Sequence, residues 1–208
     1  MGMQRFMAAQ LSKPSGLFGS LVLSRIMNRV NRKIVERTLE LLELSPNQQV
    51  LEIGFGGGVA LRLLAKRLSN GVVSGVDFSA DMVRRAERNF RYEISEGRVR
   101  VQFGDVSALP FPEAVFDRVF TINTIYFWPD TLRGLSEIRR VLKSGGRAAV
   151  SIRSKEKMAK RAVTKHGFRL FSADDLADAM RQAGFRNVQV DHRDHEHWYD
   201  QVIVVGSR

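Results

Sequence analysis

Short apolar runs alternate with stretches of helical spacing along most of this chain. Residues 50–53, 72–77, 99–103, 116–122 and 147–152 have the length and the β-branched and aromatic content of strands. Between them, apolar side chains recur on one helical face: Leu61, Leu64, Ala65 and Leu68, then Met82, Val83, Ala86 and Phe90, then Leu132, Leu135, Ile138 and Val141. The pattern predicts five successive β/α units. Ser172-Ala173-Asp174-Asp175 opens a further helix with a cap and two first-turn acids. Val188 and Val190 mark a sixth strand, and residues 198–205 a seventh, reached by a tight connection and therefore antiparallel to the sixth.

Residues 17–44 read as a helix ahead of these units. Leu17, Phe18, Leu21, Val22, Ile26, Met27 and Val30 form an apolar stripe beside Arg25, Arg29, Arg32 and Lys33. Such a helix either packs on the core or over a substrate pocket, or lies in a membrane interface with its cations at headgroup level. Lys13-Pro14-Ser15-Gly16 punctuates its entry, and Ser45-Pro46-Asn47 ends it.

The candidate chemistry begins where the first strand meets Gly54-Phe55-Gly56-Gly57-Gly58. Glycines let the backbone turn with positive φ and let a ligand approach without meeting a Cβ, and the following helix start offers unpaired N–H groups. A dinucleotide fingerprint needs a third glycine at position 59, where Val59 stands. The loop is instead Glu52-x-Gly54-x-Gly56-x-Gly58, suited to a ligand with an amino-acid tail and no phosphates. Asp77 ends the second strand, 23 positions after Gly54, where a carboxylate can accept both hydroxyls of a ribose; Ser79 is available to cap the next helix. Phe78 and Met82 are placed to flank a base. Gly104-Asp105-Val106 ends the third strand, with a carboxylate to accept from adenine N6 and backbone N–H groups for the ring nitrogens.

The acid-led glycine loop resembles the first motif of the class I S-adenosylmethionine-dependent methyltransferases, and Leu142-Lys143-Ser144-Gly145-Gly146 before a strand is similar to them as well. The resemblance covers roughly residues 35–208 and implies an α/β fold: a doubly wound, mostly parallel seven-stranded sheet with an antiparallel last strand and helices on both faces. Residues 1–34 would be an N-terminal helical extension, a lid or membrane-surface helix, and 35–208 the methyltransferase domain. S-adenosylmethionine is the implied cofactor and S-adenosylhomocysteine the product. The implied cofactor site comprises Glu52, Gly54, Phe55, Gly56, Gly58, Asp77, Phe78, Met82, Gly104, Asp105, Val106 and Asn123. In that family the segment after the fourth strand lies against the methionine portion and faces the substrate, which makes Tyr126, Phe127 and Trp128 the expected acceptor walls. Tyr126 and His166 are the candidate bases where an acceptor must lose a proton.

Composition narrows the acceptor only partly. Lys and Arg number 33 against 22 Asp and Glu, a net charge of +11 that favours anionic partners without choosing among nucleic acid, phospholipid and acidic substrates. The chain contains no cysteine, so thiolate zinc sites and covalent cysteine chemistry are excluded. His192, His195 and His197 among Asp191, Asp194 and Glu196 read as a polar turn rather than a metal site. No apolar run is long enough to span a bilayer, and a cytoplasmic location, peripheral at the inner membrane surface if the basic helix lies there, is the expectation. Asp105-Val106-x-x-Leu109-Pro110-Phe111 looks most like enzymes of small molecules, quinones or lipids. Asn123-Thr124-Ile125-Tyr126 departs from the Asn/Asp-Pro-Pro-Tyr tetrad of enzymes that methylate nucleic-acid amines. The expectation is methyl transfer to a small-molecule or amphiphilic acceptor. RNA or protein methylation and cofactor binding without turnover stand as alternatives, and the oligomeric state is left open.

Overall fold

The computed structural model describes residues 24–193 and 200–208, with side chains over 32–192 and 200–208. The entry at Lys13–Gly16, the first turns expected from Leu17, the side chains of Arg25 and Arg29, and His195, His197 and Trp198 lie outside the described residues. The strands are β1 (Gln49–Ile53), β2 (Val72–Asp77), β3 (Val99–Phe103), β4 (Phe116–Ile122), β5 (Leu142–Arg153), β6 (Arg186–Arg193) and β7 (Gln201–Ser207). They form one sheet in the order β3-β2-β1-β4-β5-β7-β6. β1 to β5 are parallel, and β7 runs antiparallel to both β5 and β6.

The helices are α1 (Ser24–Leu41), α2 (Val59–Arg67), α3 (Ala80–Asn89), α4 (Arg91–Ser95), α5 (Thr131–Val141), α6 (Lys155–Ala159) and α7 (Ala173–Gln182). Successive strand residues alternate between two cores. Val119, Ala148 and Val150 join one with Leu135 and Ile138 of α5 and Leu176 and Met180 of α7. Phe120 and Ala149 join the other with Leu39 of α1, Leu61 and Leu64 of α2 and Met82 of α3. Helices therefore cover both faces of the sheet.

α1 continues through residue 34 without a break, and Ile34, Val35, Leu39 and Leu42 are buried. Gln201 Nε2 donates to the Ile34 carbonyl at 3.4 Å and Arg118 Nε to that of Leu42 at 2.6 Å. Gln201 pairs with Arg153 at the end of β5, whereas Arg118 lies near the start of β4. Ile34 thus sits at the C-terminal rim of the sheet, and the ten α1 residues before it make about 15 Å of helix. Arg37 fastens the helix to the β6 edge through a two-pronged pair with Asp191, at 3.1 and 2.7 Å.

Several boundaries differ from the sequence expectation. α1 ends at Leu41 rather than 44, because Glu43 takes a positive φ of 51°. The helix expected from the face of Met82, Val83, Ala86 and Phe90 breaks at Phe90, whose ring is buried against Gly58 with the Arg62 guanidinium 4.9 Å above it. Asp130 caps α5 and accepts from Arg133 N at 3.0 Å. β5 starts at Leu142, which pairs with Phe116 before a register shift restores pairing at Arg147. Gly145, at φ 72°, lies inside that shift. The seventh strand begins at Gln201 within the described residues.

Leu39 is 1% exposed under α1 and touches nothing at the rim chemistry, so Leu39→Ala should destabilise the fold by about 2–5 kcal/mol, read as a lower denaturant midpoint at unchanged slope.

Candidate functional site

The strand order reverses between β1 and β4, and open α/β sheets hold their ligands outside the strand ends at such a point. Gly54 leaves β1 there at φ 72°, and a Cβ on it would come within 2.4 Å of Thr124 Cγ2. Only glycine permits that approach. The Thr121 hydroxyl donates to the Ile53 carbonyl at 2.9 Å and shares a further bond with the Thr124 hydroxyl, closing β4 onto β1. Gly54 N–H donates to the Val76 carbonyl at 2.7 Å, Gly104 N–H to that of Asp77 at 3.2 Å, and Asn123 N–H to that of Ser151 at 2.9 Å. The rim from β3 to β5 is thereby laced through its backbone.

Gly56 differs from its neighbours. Its φ is 46° and a Cβ there would meet nothing within 4 Å, so the loop turns a bare backbone toward open space. Gly58, at φ 73°, packs on Phe90 and starts α2 with no side-chain cap. Phe55 is buried against Gly75.

Three carboxylates meet this rim. Asp77 is 8% exposed and accepts from Gly56 N at 2.9 Å on one oxygen and from Ser79 N at 2.8 Å on the other. One lone-pair site remains on each oxygen, the arrangement that two adjacent hydroxyls require. Ser79 caps α3, accepting from Met82 N. Burial pushes the Asp77 carboxyl above its ordinary range, partly offset by the two N–H donors. Glu52 lies on the same face of β1, opposite Gly75 in β2. Its carboxyl is raised well above the usual range, first by burial and then by the Asp77 charge, while a bond from the Leu61 N–H pulls the other way. Its Oε2 is buried without a hydrogen-bond partner among the described residues. Burying such an oxygen is costly. Asp105 commits one oxygen to Ser107 N at 2.7 Å.

The remaining expected residues divide between rim and core. Phe78 stands out from the rim, 48% exposed, and stacks on Phe103 at 6.1 Å. Phe103, which alternation marks only as a strand residue, therefore belongs to the same edge. Met82 and Val106 are core residues, buried on α3 and beside Trp128 respectively, and present little surface to a ligand. Asn123 takes a left-handed φ of 59°, and its Oδ1 accepts from the Tyr126 hydroxyl at 3.2 Å.

Tyr126 and Trp128 do not stand as open walls. Trp128 packs over Gly134 of α5, so that the segment turns inward after Phe127. Tyr126 is buried; its hydroxyl also accepts from Arg153 N at 2.6 Å, and burial raises its ionisation above the usual phenol range. Bonded on both sides of its hydroxyl, it fastens the turn after β4 to the end of β5. Phe127 remains half-buried, with Phe168 packed edge-on at 4.6 Å. Phe168 comes from residues 153–169, where charge density obscures a single aromatic in the sequence. His166 lies in the same segment after the short 3-10 turn Ala162–Lys165, and its ring joins none of the hydrogen bonds described at the strand ends. Among the described residues no cluster of His, Asp and Glu could hold a metal ion.

Comparison with known proteins agrees with this geometry. Residues 50–146 match the methyltransferase domain family. The uncharacterized methyltransferase YdaC of Bacillus subtilis is 28% identical over 170 residues, 82% of this chain and 89% of that protein. YrhH of the same organism is 30% identical over 124 residues, 60% of this chain and 68% of that protein. A solved SAM-dependent methyltransferase from Thermotoga maritima superimposes with a TM-score of 0.66 at 25% identity, covering 88% of this chain and 91% of that one. The chain belongs to the class I S-adenosylmethionine-dependent methyltransferases, and its cofactor is S-adenosylmethionine.

Two measurements separate the parts of this rim. Gly56→Ala should leave a folded chain, with a cost of about 1–2 kcal/mol for a left-handed alanine, yet bind S-adenosylhomocysteine at least about tenfold more weakly in calorimetry. Gly54→Ala, which must also displace Thr124, should lower the melting temperature further.

Glu52 gives a test in pH. Its folded carboxyl keeps a proton that the unfolded chain has lost above about 4.5, so its contribution to stability is full below that value and disappears as the pH rises through the folded one. Glu52→Gln is neutral throughout. Melting of the ligand-free variant should fall less than wild type between pH 5 and 8, and equal slopes for the two would contradict the assignment.

Proposed function

We propose that the chain moves the methyl group of S-adenosylmethionine to a small-molecule or lipid-like acceptor held at the ends of β4 and β5. The observation that carries this reading is the apolar pair of Phe127, in the turn that follows Asn123 after β4, and Phe168, packed edge-on to it at 4.6 Å. Half-buried aromatic rings near the strand ends suit an acceptor with an apolar body. Among relatives whose names state an acceptor, the ubiquinone/menaquinone biosynthesis C-methyltransferase of Geotalea daltonii is 30% identical over 60% of this chain and 55% of that protein. The malonyl-[acyl-carrier protein] O-methyltransferase of Geobacter sulfurreducens is 29% identical over 83% of this chain and 69% of that protein. Those names support the class of acceptor without identifying it.

In this reading Gly54 and Gly56 admit the cofactor's amino-acid portion to the bare loop. Asp77 accepts from the ribose hydroxyls with the two lone-pair sites that its backbone donors leave. Phe78 and Phe103 flank the adenine end, with Asp105 at the base, and Glu52 faces the positively charged end from behind the loop. The cofactor supplies a methyl group already activated on a sulfonium, so the protein's task is to align an attacking atom and exclude water. Orienting two reactants is worth on the order of 7–11 kcal/mol. Asn123, fixed by Tyr126 and Ser151, sets the inner boundary of the acceptor space, and Phe127 and Phe168 keep it dry. Tyr126, buried and bonded on both sides of its hydroxyl, is the less accessible of the two candidate bases. An acceptor that must lose a proton would use His166 or ionise on its own.

Calorimetry and a methyl-transfer panel with labelled cofactor test the proposal together. Asp77→Ala should weaken S-adenosylmethionine binding by about ten- to a hundredfold, the equivalent of about 1.5–3 kcal/mol for charge-assisted hydrogen bonds. Quinone, isoprenoid or fatty-acyl acceptors should be labelled in preference to RNA and protein. Tight cofactor binding with no labelled product across the panel would favour a binding protein without turnover.

A further inference from the structure

Two irregular segments border the rim. Residues 153–169 form a strap held at both ends on Tyr126, Arg153 N–H on its hydroxyl at 2.6 Å and Arg169 N–H on its carbonyl at 3.0 Å. On the other side of the point where the strand order reverses, residues 104–111 leave β3 and fold back on themselves. Ala108 N–H donates to the Asp105 carbonyl at 3.1 Å and Ser107 N–H to the Asp105 carboxylate at 2.7 Å. A Cβ on Gly104 would come within 2.9 Å of the Pro110 ring, which closes the loop. Asp105 is carried by this loop, so whatever orients the loop sets where its carboxylate stands.

The loop is oriented by one stripe of α5. Arg133, Glu137 and Arg140 follow at helical spacing, one above the other on that helix. Arg133 Nε donates to the Ser107 carbonyl at 2.8 Å, and Glu137 Oε2 accepts from Leu109 N–H at 2.8 Å. Arg140 donates to the Leu109 and Phe111 carbonyls at 3.1 and 2.8 Å, and grips both oxygens of Glu137 at 2.7 and 2.8 Å. Burial of Val106 and Leu109 already keeps the loop on the core. Apolar contact has no direction, however, whereas hydrogen bonds to successive carbonyl and N–H groups fix how the peptide planes are turned. The route to Asp105 is short. The peptide joining Ser107 to Ala108 has its carbonyl on Arg133 and its N–H on Asp105, so a rotation of that plane is passed on directly.

We propose that Glu137 and Arg140, with Arg133 beside them, are positioning residues for the base of the cofactor. They act through the loop, holding Asp105 where its second oxygen accepts from the adenine 6-amino group. The inference rests on the proposed placing of Asp105 at the base, and adds to it the means by which adenine is told from other purines. An oxo group in place of the amine turns a lone pair toward the carboxylate. A well-placed Asp105 therefore rejects hypoxanthine, and a loosely held one does not.

The test titrates the full chain calorimetrically with S-adenosylhomocysteine and with S-inosylhomocysteine, in which an oxo group replaces that amine. The wild-type chain should bind the adenosyl compound at least about tenfold more tightly. Glu137→Ala should cut that ratio by at least about threefold, weakening the adenosyl compound and leaving the inosyl compound nearly unchanged. Glu137→Gln keeps an acceptor for Leu109 N–H and should retain part of the ratio. Arg140→Lys puts a single ammonium where a planar fork spans two carbonyls and a carboxylate, and should behave like Glu137→Ala. Should Glu137→Ala unfold, Arg133→Ala at an exposed position supplies the comparison. A purely structural role would lower the melting temperature of these variants and leave the ratio as it was, and that outcome overturns the proposal. Asp105→Asn separates the two readings. A ratio lost in that variant but kept in all the α5 variants overturns the role of α5 alone. A ratio near one in the wild-type chain, or one that survives Asp105→Asn, overturns the placing of Asp105 at the base and this inference with it.

Discussion

Gly54 and Thr124 approach so closely that any side chain on the glycine would overlap the threonine methyl, and this contact brings the ends of β1 and β4 together. It requires a positive φ at residue 54, a hydroxyl on Thr121 to tie the Ile53 carbonyl, and a chain that turns at once after β4. Asn123 makes that turn in the left-handed region, which asparagine tolerates better than most residues. The seam leaves the glycine loop, the end of β2 and the start of the Tyr126 turn facing one space. A wider separation between β1 and β4 would deliver the same residues to different sites.

Two acids, Glu52 and Asp77, are buried at this seam. Asp77 is compensated by two backbone N–H groups, but Glu52 has one donor for two oxygens and lies in the field of Asp77. Burial and like charge both favour its protonated form. A ligand bearing ammonium and sulfonium charge would oppose both, so the cost of burying Glu52 and the proposed preference for a cation have one source.

The acceptor side depends on Tyr126. Its hydroxyl donates to Asn123 and accepts from Arg153, and its carbonyl accepts from Arg169, so that one residue fixes the turn after β4 and both ends of the strap after β5. Ser154, which caps α6, is held in turn by Asp200, and Asp200 is bonded to His192 at 2.9 Å. The terminal hairpin thereby supports the strap from behind and holds α1 through Gln201 and the Arg37–Asp191 pair. Closing the sheet with an antiparallel strand is what places this support beside β5.

Local pattern carried much of the structure. The alternation of strand and helix, the acid-led glycine loop, the carboxylates ending β2 and β3, the caps at Ser79 and Ser172 and the antiparallel last strand are all features of neighbouring residues, set by φ preference, side-chain period and short hydrogen bonds. The tertiary structure alone decided where side chains point once the backbone leaves a regular period. In the irregular turn after β4, Tyr126 and Trp128 go into the core while Phe127 stays at the rim, and no periodicity distinguishes three consecutive aromatics. Likewise Met82 is drawn inward, and Phe90 breaks a helix to fill space beside Gly58. The partnerships of Phe103 with Phe78 and of Phe168 with Phe127 join residues 25 and 41 positions apart, brought together by the packing of separate elements. Chain order reveals the groups available to a site, but their meeting is a consequence of how the sheet is assembled.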